Sequence, residues 1–354
     1  MTIRERVEAV LQHETPDRVP FIPFDELIPR AAFELDWRNG GMGTLHHYSS
    51  VVETNDTPYT VRWEGNESFY TYETPFGPMT ECFQHKHGVS NTGRVRTKFK
   101  IETKEDYAKA IWHINQMQYH LDESGDDKED FYVGDGGYTH VWAGEPPYME
   151  AQYYLGLENW AYHQLDYEEE FAQLMDALEA MQERRMACVA KARQTMVNIG
   201  NLAGNFSPAA FETQVVPYFK KFTDLLHANG KLVTVHADAS NLREYAHLIP
   251  ACGVDIVEAF TPPPVGNLSL RDARAAWGED ITILINFPET IFYNPEGYEG
   301  VKRYTKELLE SDPSPNKIMS VTEMGFAGAT NENMHIIADG FRAVLDAVNE
   351  YGNY

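Results

Sequence analysis

The residues best suited to chemistry lie in the stretch GKLVTVHADASN. Its apolar run, Leu232 to Val235, ends at His236, and Asp238 follows two positions later. A neutral imidazole nitrogen and a carboxylate are both common ligands of divalent cations. Residues two apart on a strand point to the same side of a sheet. If the strand continues to Asp238, the two side chains therefore face one site.

Further polar side chains follow other predicted strands at the point where each strand ends. They are Asn201 in GNLAGN, Glu258 in VEAF, Asn286 and Glu289 in NFPET, and Glu323 in VTEM. The carboxyl ends of parallel strands meet at one edge of a sheet, where α/β-barrel enzymes carry their chemistry. One imidazole with several carboxylates at this edge predicts a metal site. Zinc with three protein ligands would leave a position open for substrate.

Each of these residues alone has a simpler interpretation. His236 fits a hydrogen-bonded core histidine, Glu258 fits a helix cap, and Glu323 fits a salt bridge at the edge of the sheet. The other histidines carry less signal, since the adjacent His46 and His47 face apart on any regular element. Only the coincidence of polar groups at successive strand ends favours a metal site.

The elements that must position these residues alternate between strand and helix from residue 195 onward. Strands are predicted at 195–202, 254–260 and 280–287, and a long helix at 167–193. This order is typical of a parallel sheet covered by helices. No glycine-rich phosphate loop opens a helix there, which argues against a nucleotide-binding doubly wound sheet. We expect an α/β fold, a closed (β/α)8 TIM barrel.

One barrel domain is predicted over 1–354, in two parts. Residues 1–130 form an elaborated N-terminal region that contributes the first strand, a hairpin in FYTYETPFGPMTECFQHKHG and loops at the rim. The acidic stretch LDESGDDKED, residues 121–130, is predicted to be a loop at the boundary. Residues 131–354 carry the regular β/α repeats.

Composition narrows the classes of function. The formal net charge is −25, which repels phosphate backbones and argues against nucleic acid as a partner. The same charge would attract a basic protein partner, or it could serve solubility alone. No apolar run of about 18 residues predicts a membrane span. With no apolar signal segment at the start and three widely spaced cysteines, we expect a cytoplasmic protein.

Several motifs resemble the uroporphyrinogen decarboxylase-like superfamily. RERVEAVLQHETPDRVPFIPF resembles its opening helix and Pro-Asp-Arg-Val-Pro turn, and YETPFGPMTE resembles its hairpin. SPAAFETQVVPYFKKFTDLLHANGKLVTVHADASN resembles its central segment, and GVDIVEAFTPPPVGNLSLRDARAAWG and SVTEMG complete the series. The likeness covers most of the chain and implies a (β/α)8 barrel.

Two branches of that superfamily imply different activities. The decarboxylases work without metal on a tetrapyrrole with many carboxylates, which they bind through arginines near the N-terminus; here VPFIPFDELIPR supplies Arg30 but no basic cluster. The other branch comprises zinc-dependent, corrinoid-dependent methyltransferases with a His-x-Cys pair and a later Cys. This sequence departs from that pattern, with His236, Asp238 and Glu323 at the corresponding places. An oxygen-rich site is harder than a thiolate site and suits an ether oxygen.

The resemblance therefore implies an O-demethylase type methyltransferase. It would move a methyl group from a phenyl methyl ether to the Co(I) of a corrinoid (cobalamin) protein, with zinc on His236, Asp238 and Glu323. Glu258 or Glu289 would be a fourth ligand or a proton donor. Asn201 and Asn286 would bind the substrate together with three candidate ring-stacking walls from the segment 134–160, namely Tyr138, Trp142 and Tyr148.

The alternatives are a metal-free decarboxylase and a methylcorrinoid:thiol or methylcorrinoid:pterin methyltransferase. A packed irregular segment is the simpler interpretation of residues 134–160. The sequence does not fix the oligomeric state, and a homodimer is one of the alternatives.

Overall fold

The computed structural model describes residues 1–25, 32, 35, 41–85, 94–202, 206–237, 241–321 and 334–354. The chain divides into two units. The first unit consists of Met1–Ser50, Glu123–Trp142 and Arg193–Tyr354, and the second of Val51–Asp122 and Ala143–Ala192. This division differs from the boundary predicted at residue 130, because the second unit takes residues from both sides of it.

The strands and helices have the following bounds. The strands are β1 Thr44–His47, β2 Val51–Asn55, β3 Tyr59–Glu64, β4 Glu67–Thr74, β5 Gly77–His85, β6 Arg94–Lys98, β7 Met117–Leu121, β8 Gly137–Trp142, β9 Met196–Asn201, β10 Leu232–His236, β11 Ile256–Phe260, β12 Thr282–Asn286 and β13 Lys317–Ser320. The α-helices are α1 Ile3–Leu11, α2 Asp106–Asn115, α3 Asp126–Val133, α4 Pro147–Asp166, α5 Glu168–Val189, α6 Pro208–Ala210, α7 Val216–His227, α8 Leu242–Tyr245, α9 Leu270–Trp277, α10 Gly297–Ser311 and α11 Met334–Tyr351. Short 3₁₀ segments cover Gly134–Gly136, Ala246–Cys252 and Glu289–Tyr293, and a π turn covers Phe211–Val215.

A parallel sheet forms the centre of the first unit. In the described part of the chain it has seven strands in the order β1-β8-β9-β10-β11-β12-β13, and each neighbouring pair is parallel. Strands β11 and β12 are buried along their whole length, which explains their continuous apolar sequences. The α/β class and the parallel sheet of TIM-barrel type are therefore confirmed.

The segment 20–24 forms backbone hydrogen bonds with both edge strands of this sheet. The amide of Ile22 donates to the carbonyl of Met319 in β13 at 2.9 Å, and the amide of Leu45 in β1 donates to the carbonyl of Pro23 at 2.8 Å. Two prolines bracket this short apolar run, and proline ends backbone pairing because it has no N–H to donate.

Local signals explain some of the helix starts. The side chain of Ser207 caps a helix by accepting from the amide of Ala210 at 3.3 Å, with Pro208 at the first helical position, as expected for an N-cap and its follower. The helix predicted at 167–193 is confirmed as α5. The loop predicted at 121–130 is wrong in part, because α3 begins at Asp126. Three acidic residues in its first turn interact favourably with the helix dipole.

The second unit is built on antiparallel strands. Strands β3-β4-β5-β6 form a four-stranded sheet, and β2 pairs with β7. The predicted hairpin is confirmed as β4 and β5, which pair from Glu67 opposite Gln84 to Thr74 opposite Gly77. Apolar residues of α2 and α5, among them Ile114 and Leu178, share one core with Met79 of β5.

Across the described residues, no helix combines the length and the apolar character needed to cross a bilayer.

Candidate active site

The register of the parallel sheet brings polar side chains to one level at the carboxyl ends of the strands. His236 lies opposite Glu258 on β11 and opposite Asn201 on β9. In the first two strands of the sheet, His47 of β1 lies opposite His140 of β8. The predicted meeting of strand ends thus occurs for His236, Glu258 and Asn201. His140, to which the sequence had assigned no role, joins them by its contact with Glu258.

Glu258 is the centre of this group and is fully buried. Its Oε1 lies 3.0 Å from Nδ1 of His236, and its Oε2 accepts a hydrogen bond from the hydroxyl of Thr234 at 3.2 Å. Nδ1 of His140 lies 3.5 Å from the same Oε2. Burial alone would raise the pKa of Glu258, but His140 and His236 outweigh it and hold that pKa well below its usual range. Glu258 is therefore a carboxylate.

The pairing with Glu258 determines which nitrogen of His236 carries a proton. Because a carboxylate only accepts hydrogen bonds, Nδ1 of His236 carries the proton that faces Glu258, and Nε2 is the nitrogen that can act as an acceptor. The His236 side chain is 13% exposed, whereas Glu258 is 0% exposed. A carboxylate that orients an imidazole in this way is the usual support of a metal-ligating histidine. His236 therefore fits the role of a ligand, and Glu258 that of its positioning partner.

The structure describes one of the three predicted zinc ligands, His236. Asp238 and Glu323 lie outside the described residues. Among the residues that are described, no group of three or more His, Cys, Asp or Glu side chains has an arrangement that could hold a metal ion. Of the three predicted zinc ligands, His236 lies within the described residues, and its pairing with Glu258 is compatible with a ligand role.

His140 is a functional candidate that sequence reasoning missed. Its side chain is 1% exposed, and within the described chain its Nε2 has no hydrogen-bond partner. The ring stacks on Phe24 at 5.1 Å between centroids and meets the ring of His47 edge-on at 5.2 Å. A buried ring nitrogen without a partner is costly, which points to a polar ligand at this position. A signal existed, because His140 lies near the end of the strand GYTHVW, much as His236 ends LVTVH.

The three predicted aromatic walls lie in different places. Trp142, the last residue of β8, contacts the ring of His236 edge-on at 5.5 Å. Tyr138 lies near the start of the same strand, where its hydroxyl bonds to that of Thr195 at 3.1 Å, so the structure does not bring it to His236. Tyr148 lies in the first turn of α4, is buried, and belongs to the second unit.

The remaining predicted residues follow the ends of β9 and β12. Asn201 is the last residue of β9. Asn286 ends β12, is fully buried, and donates from Nδ2 to the hydroxyl of Thr261 at 2.8 Å. Glu289 follows β12, where burial raises its pKa, and its Oε2 has no hydrogen-bond partner among the described residues. Glu258 and Glu289 are thus pushed toward opposite protonation states, an arrangement that suits one anion and one acid.

Comparison with known proteins shows a whole-chain structural likeness. A methyltransferase from Methanosarcina mazei superposes with a TM-score of 0.58 at 14% identity, over 99% of this chain and 99% of that one. The shared feature is the fold. A putative fructose-1,6-bisphosphate aldolase from Coccidioides immitis (TM-score 0.30, 10% identity, 63% and 72% covered) and a D-psicose 3-epimerase (0.34, 11%, 69% and 82%) are more distant. No protein-family model and no curated protein matches the sequence.

Proposed function

We propose that the chain is a zinc-dependent methyltransferase that moves a methyl group from a phenyl methyl ether to the Co(I) of a corrinoid protein. The observation that carries this proposal is the pairing of His236 with the buried Glu258 at the carboxyl ends of parallel strands. That pairing prepares His236 Nε2 for a cation. The fold shared with a methyltransferase over the whole chain is in keeping with methyl transfer.

The ligands of the zinc would be His236, Asp238 and Glu323. Bound there, zinc supplies a Lewis acid for the ether oxygen of the substrate. Glu258 acts through His236, because it fixes the orientation of the ring and the position of its proton. A set of one nitrogen and two carboxylates favours an oxygen centre over a sulfur centre, which is why we favour an ether over a thiol.

The chain's own residues would manage the leaving group. In the proposed reaction the bond between the ether oxygen and the methyl carbon would break with its electron pair left on the oxygen, and the Co(I) of the partner protein would supply the electron pair that accepts the methyl group. Burial raises the pKa of Glu289, which makes it our candidate for the acid that would give a proton to the phenolate oxygen. Trp142 forms a wall beside His236 for the aromatic ring, and Asn201 and Asn286 provide amide groups at the same end of the sheet.

We further infer that the segment 20–24 completes the sheet as an eighth strand and closes a (β/α)8 barrel. Its backbone hydrogen bonds to both β1 and β13 support this closure. The net charge of −25 suits docking of a corrinoid protein through a basic surface. A cytoplasmic location fits both the need of Co(I) for a reducing environment and the cysteines, which are free in the described structure.

The experiment compares His236→Ala with His227→Ala. His227 lies on α7 and pairs with Asp255 through Nε2 at 2.8 Å, so its loss removes an imidazole away from the proposed site. We expect His236→Ala to lose bound zinc, and with it methyl transfer from methoxylated aromatics to reduced cobalamin, by about 100-fold or more. His227→Ala should keep both, measured by elemental analysis and by the absorbance change of cobalamin.

The rival functions give different results in the same assays. A protein that contains no zinc, or a His236→Ala variant that retains both metal and demethylation, would contradict the proposal. A methylcorrinoid:thiol methyltransferase would demethylate methylcobalamin with a thiol acceptor and leave aromatic ethers untouched.

A further inference from the structure

A cavity lies wholly within the second unit. Its volume is about 390 Å³, and strands β2, β3, β4, β6 and β7 and helices α2, α4 and α5 contribute to its walls. Three cationic side chains and two acidic ones line it, in a chain whose net charge is −25. Its size is that of a small-molecule site. The proposed methyl transfer assigns it no role.

One group of residues in the cavity wall has an excess of positive charge. Lys100 and Arg96 share one buried carboxylate, Glu81, at 3.5 Å and 3.1 Å, and Glu81 also accepts a hydrogen bond from the hydroxyl of Tyr72 at 2.8 Å. The Lys100 side chain is only 14% exposed, and among the described residues Glu81 is its one carboxylate partner within 4 Å. An ammonium has three N–H donors, so Lys100 retains donors for a further acceptor.

A second group of residues in the wall has an excess of negative charge. Arg185 donates to Glu53 at 2.7 Å and lies 3.4 Å from Glu150, so one cation serves two carboxylates. Glu150 and Arg185 are 16% and 12% exposed. Burial lowers the pKa of Lys100 and raises that of Glu150. A ligand with opposite charges at its two ends would favour the charged form of both groups.

Aromatic and thioether side chains form the rest of the wall. Nζ of Lys100 lies 4.9 Å from the ring centroids of both Tyr72 and Tyr154. Met117 and Met181 also line the cavity. Such walls suit an apolar or aromatic body. A simple anion would meet the two carboxylates, and a simple cation would meet Lys100 and Arg96.

We propose that this cavity binds a small zwitterion of the amino-acid class, with its carboxylate at Lys100, its ammonium at Glu150 and an apolar or aromatic side chain against the tyrosines. The site is independent of the proposed methyl transfer, and its test uses binding alone.

The first measurement uses the unaltered chain and three related probes in calorimetric titrations. These are phenylalanine, 3-phenylpropanoate, which lacks the ammonium, and phenethylamine, which lacks the carboxylate. We expect saturable binding of phenylalanine and at least about tenfold weaker binding of each singly charged analogue, since each leaves one buried charge without its partner. Absence of saturable phenylalanine binding, or equal affinity for all three probes, would overturn the proposal.

The second measurement uses Lys100→Met and Glu150→Gln, with Lys104→Met as the control. Lys104 belongs to the same unit but is 57% exposed and pairs with Glu170. Lys100→Met should weaken the binding of phenylalanine about tenfold, and this variant should bind phenylalanine and phenethylamine with equal affinity. Glu150→Gln should bind phenylalanine and 3-phenylpropanoate with equal affinity. Equal effects of Lys100→Met and Lys104→Met would contradict the assignment. Circular dichroism verifies folding, and the probe series decides the question if a variant does not fold.

Discussion

A buried glutamate in each unit pairs with basic side chains, but these two glutamates, Glu258 and Glu81, have different neighbours. Glu258 of the first unit lies against His236 and His140, whereas Glu81 of the second unit lies against Arg96 and Lys100. Imidazoles gain and lose protons near neutral pH and offer a nitrogen to a metal or a proton. Guanidinium and ammonium groups are permanent donors under the same conditions. The first arrangement therefore suits chemistry, and the second suits recognition.

The two sheets explain why these neighbours differ. In the parallel sheet of the first unit every strand ends at the same edge, so residues distant in sequence meet at one level. In the antiparallel sheet of the second unit successive strands end at opposite edges. Its cavity is therefore lined by the sides of strands and by helices α4 and α5, which carry Glu150 and Arg185.

The largest expected effect separates the two buried carboxylates. Glu258→Gln removes the charge that orients His236, so we expect methyl transfer to fall by about 100-fold. Glu81→Gln removes a charge of similar burial in the second unit, so it should lower stability and leave the activity of the folded protein within about twofold. Both are measured as methyl transfer per folded molecule, and a similar loss of activity in both variants would show that the units do not have separate tasks.

The intermediate effect tests how closely Arg185, which lines the cavity of the second unit, is packed. Gly144 has a φ of +83°, and a Cβ there would lie 1.7 Å from a terminal nitrogen of Arg185. Gly144→Ala must therefore displace Arg185 from Glu53 and Glu150, and we expect a loss of about 3 kcal/mol in the free energy of unfolding.

The matched control is Gly253 of the first unit. It has a φ of +75°, but its nearest atoms would be 3.5 Å away. Gly253→Ala should cost only the backbone strain, about 1 kcal/mol. Chemical denaturation compares the two variants, and equal losses would mean that Arg185 moves aside without cost.

The smallest expected effect concerns a histidine in the second unit. Burial and the nearby Lys100 lower the pKa of His113 to about 4, and its Nδ1 lies 3.1 Å from the hydroxyl of Thr57. The unfolded chain binds this proton near pH 6.5 and the folded chain only near pH 4. The free energy of unfolding is therefore unaffected by His113 above about pH 6.5, and it decreases as the pH falls from there toward about 4.

From pH 7 to pH 5 this linkage should remove about 2 kcal/mol from the free energy of unfolding. His113→Asn, which has no titrating group, should show a pH dependence that is flatter by that amount. The same slope in the variant and the parent would mean that His113 titrates normally. His236 cannot replace it as the source of the slope, because His236 is present in both proteins.

The sequence predicted much of the fold because the relevant signals are local. Apolar runs mark β9 to β12, and Ser207 with Pro208 marks a helix start. These patterns depend on near neighbours, and they also placed His236, Glu258 and Asn286 at strand ends. The acidic stretch that became α3 was misread because its charges were taken as a loop signal, whereas in a first turn they stabilise a helix.

The sequence by itself determined which elements form and which polar groups stand at their ends. Only the tertiary structure decided that Glu258 pairs with His236, that His140 joins them and that Tyr138 lies elsewhere. It also decided that the second unit encloses a cavity lined by side chains of both charges. The physical reason is that these contacts join residues far apart in the chain. Strand register and core packing set such contacts, and no short stretch of sequence encodes either of them.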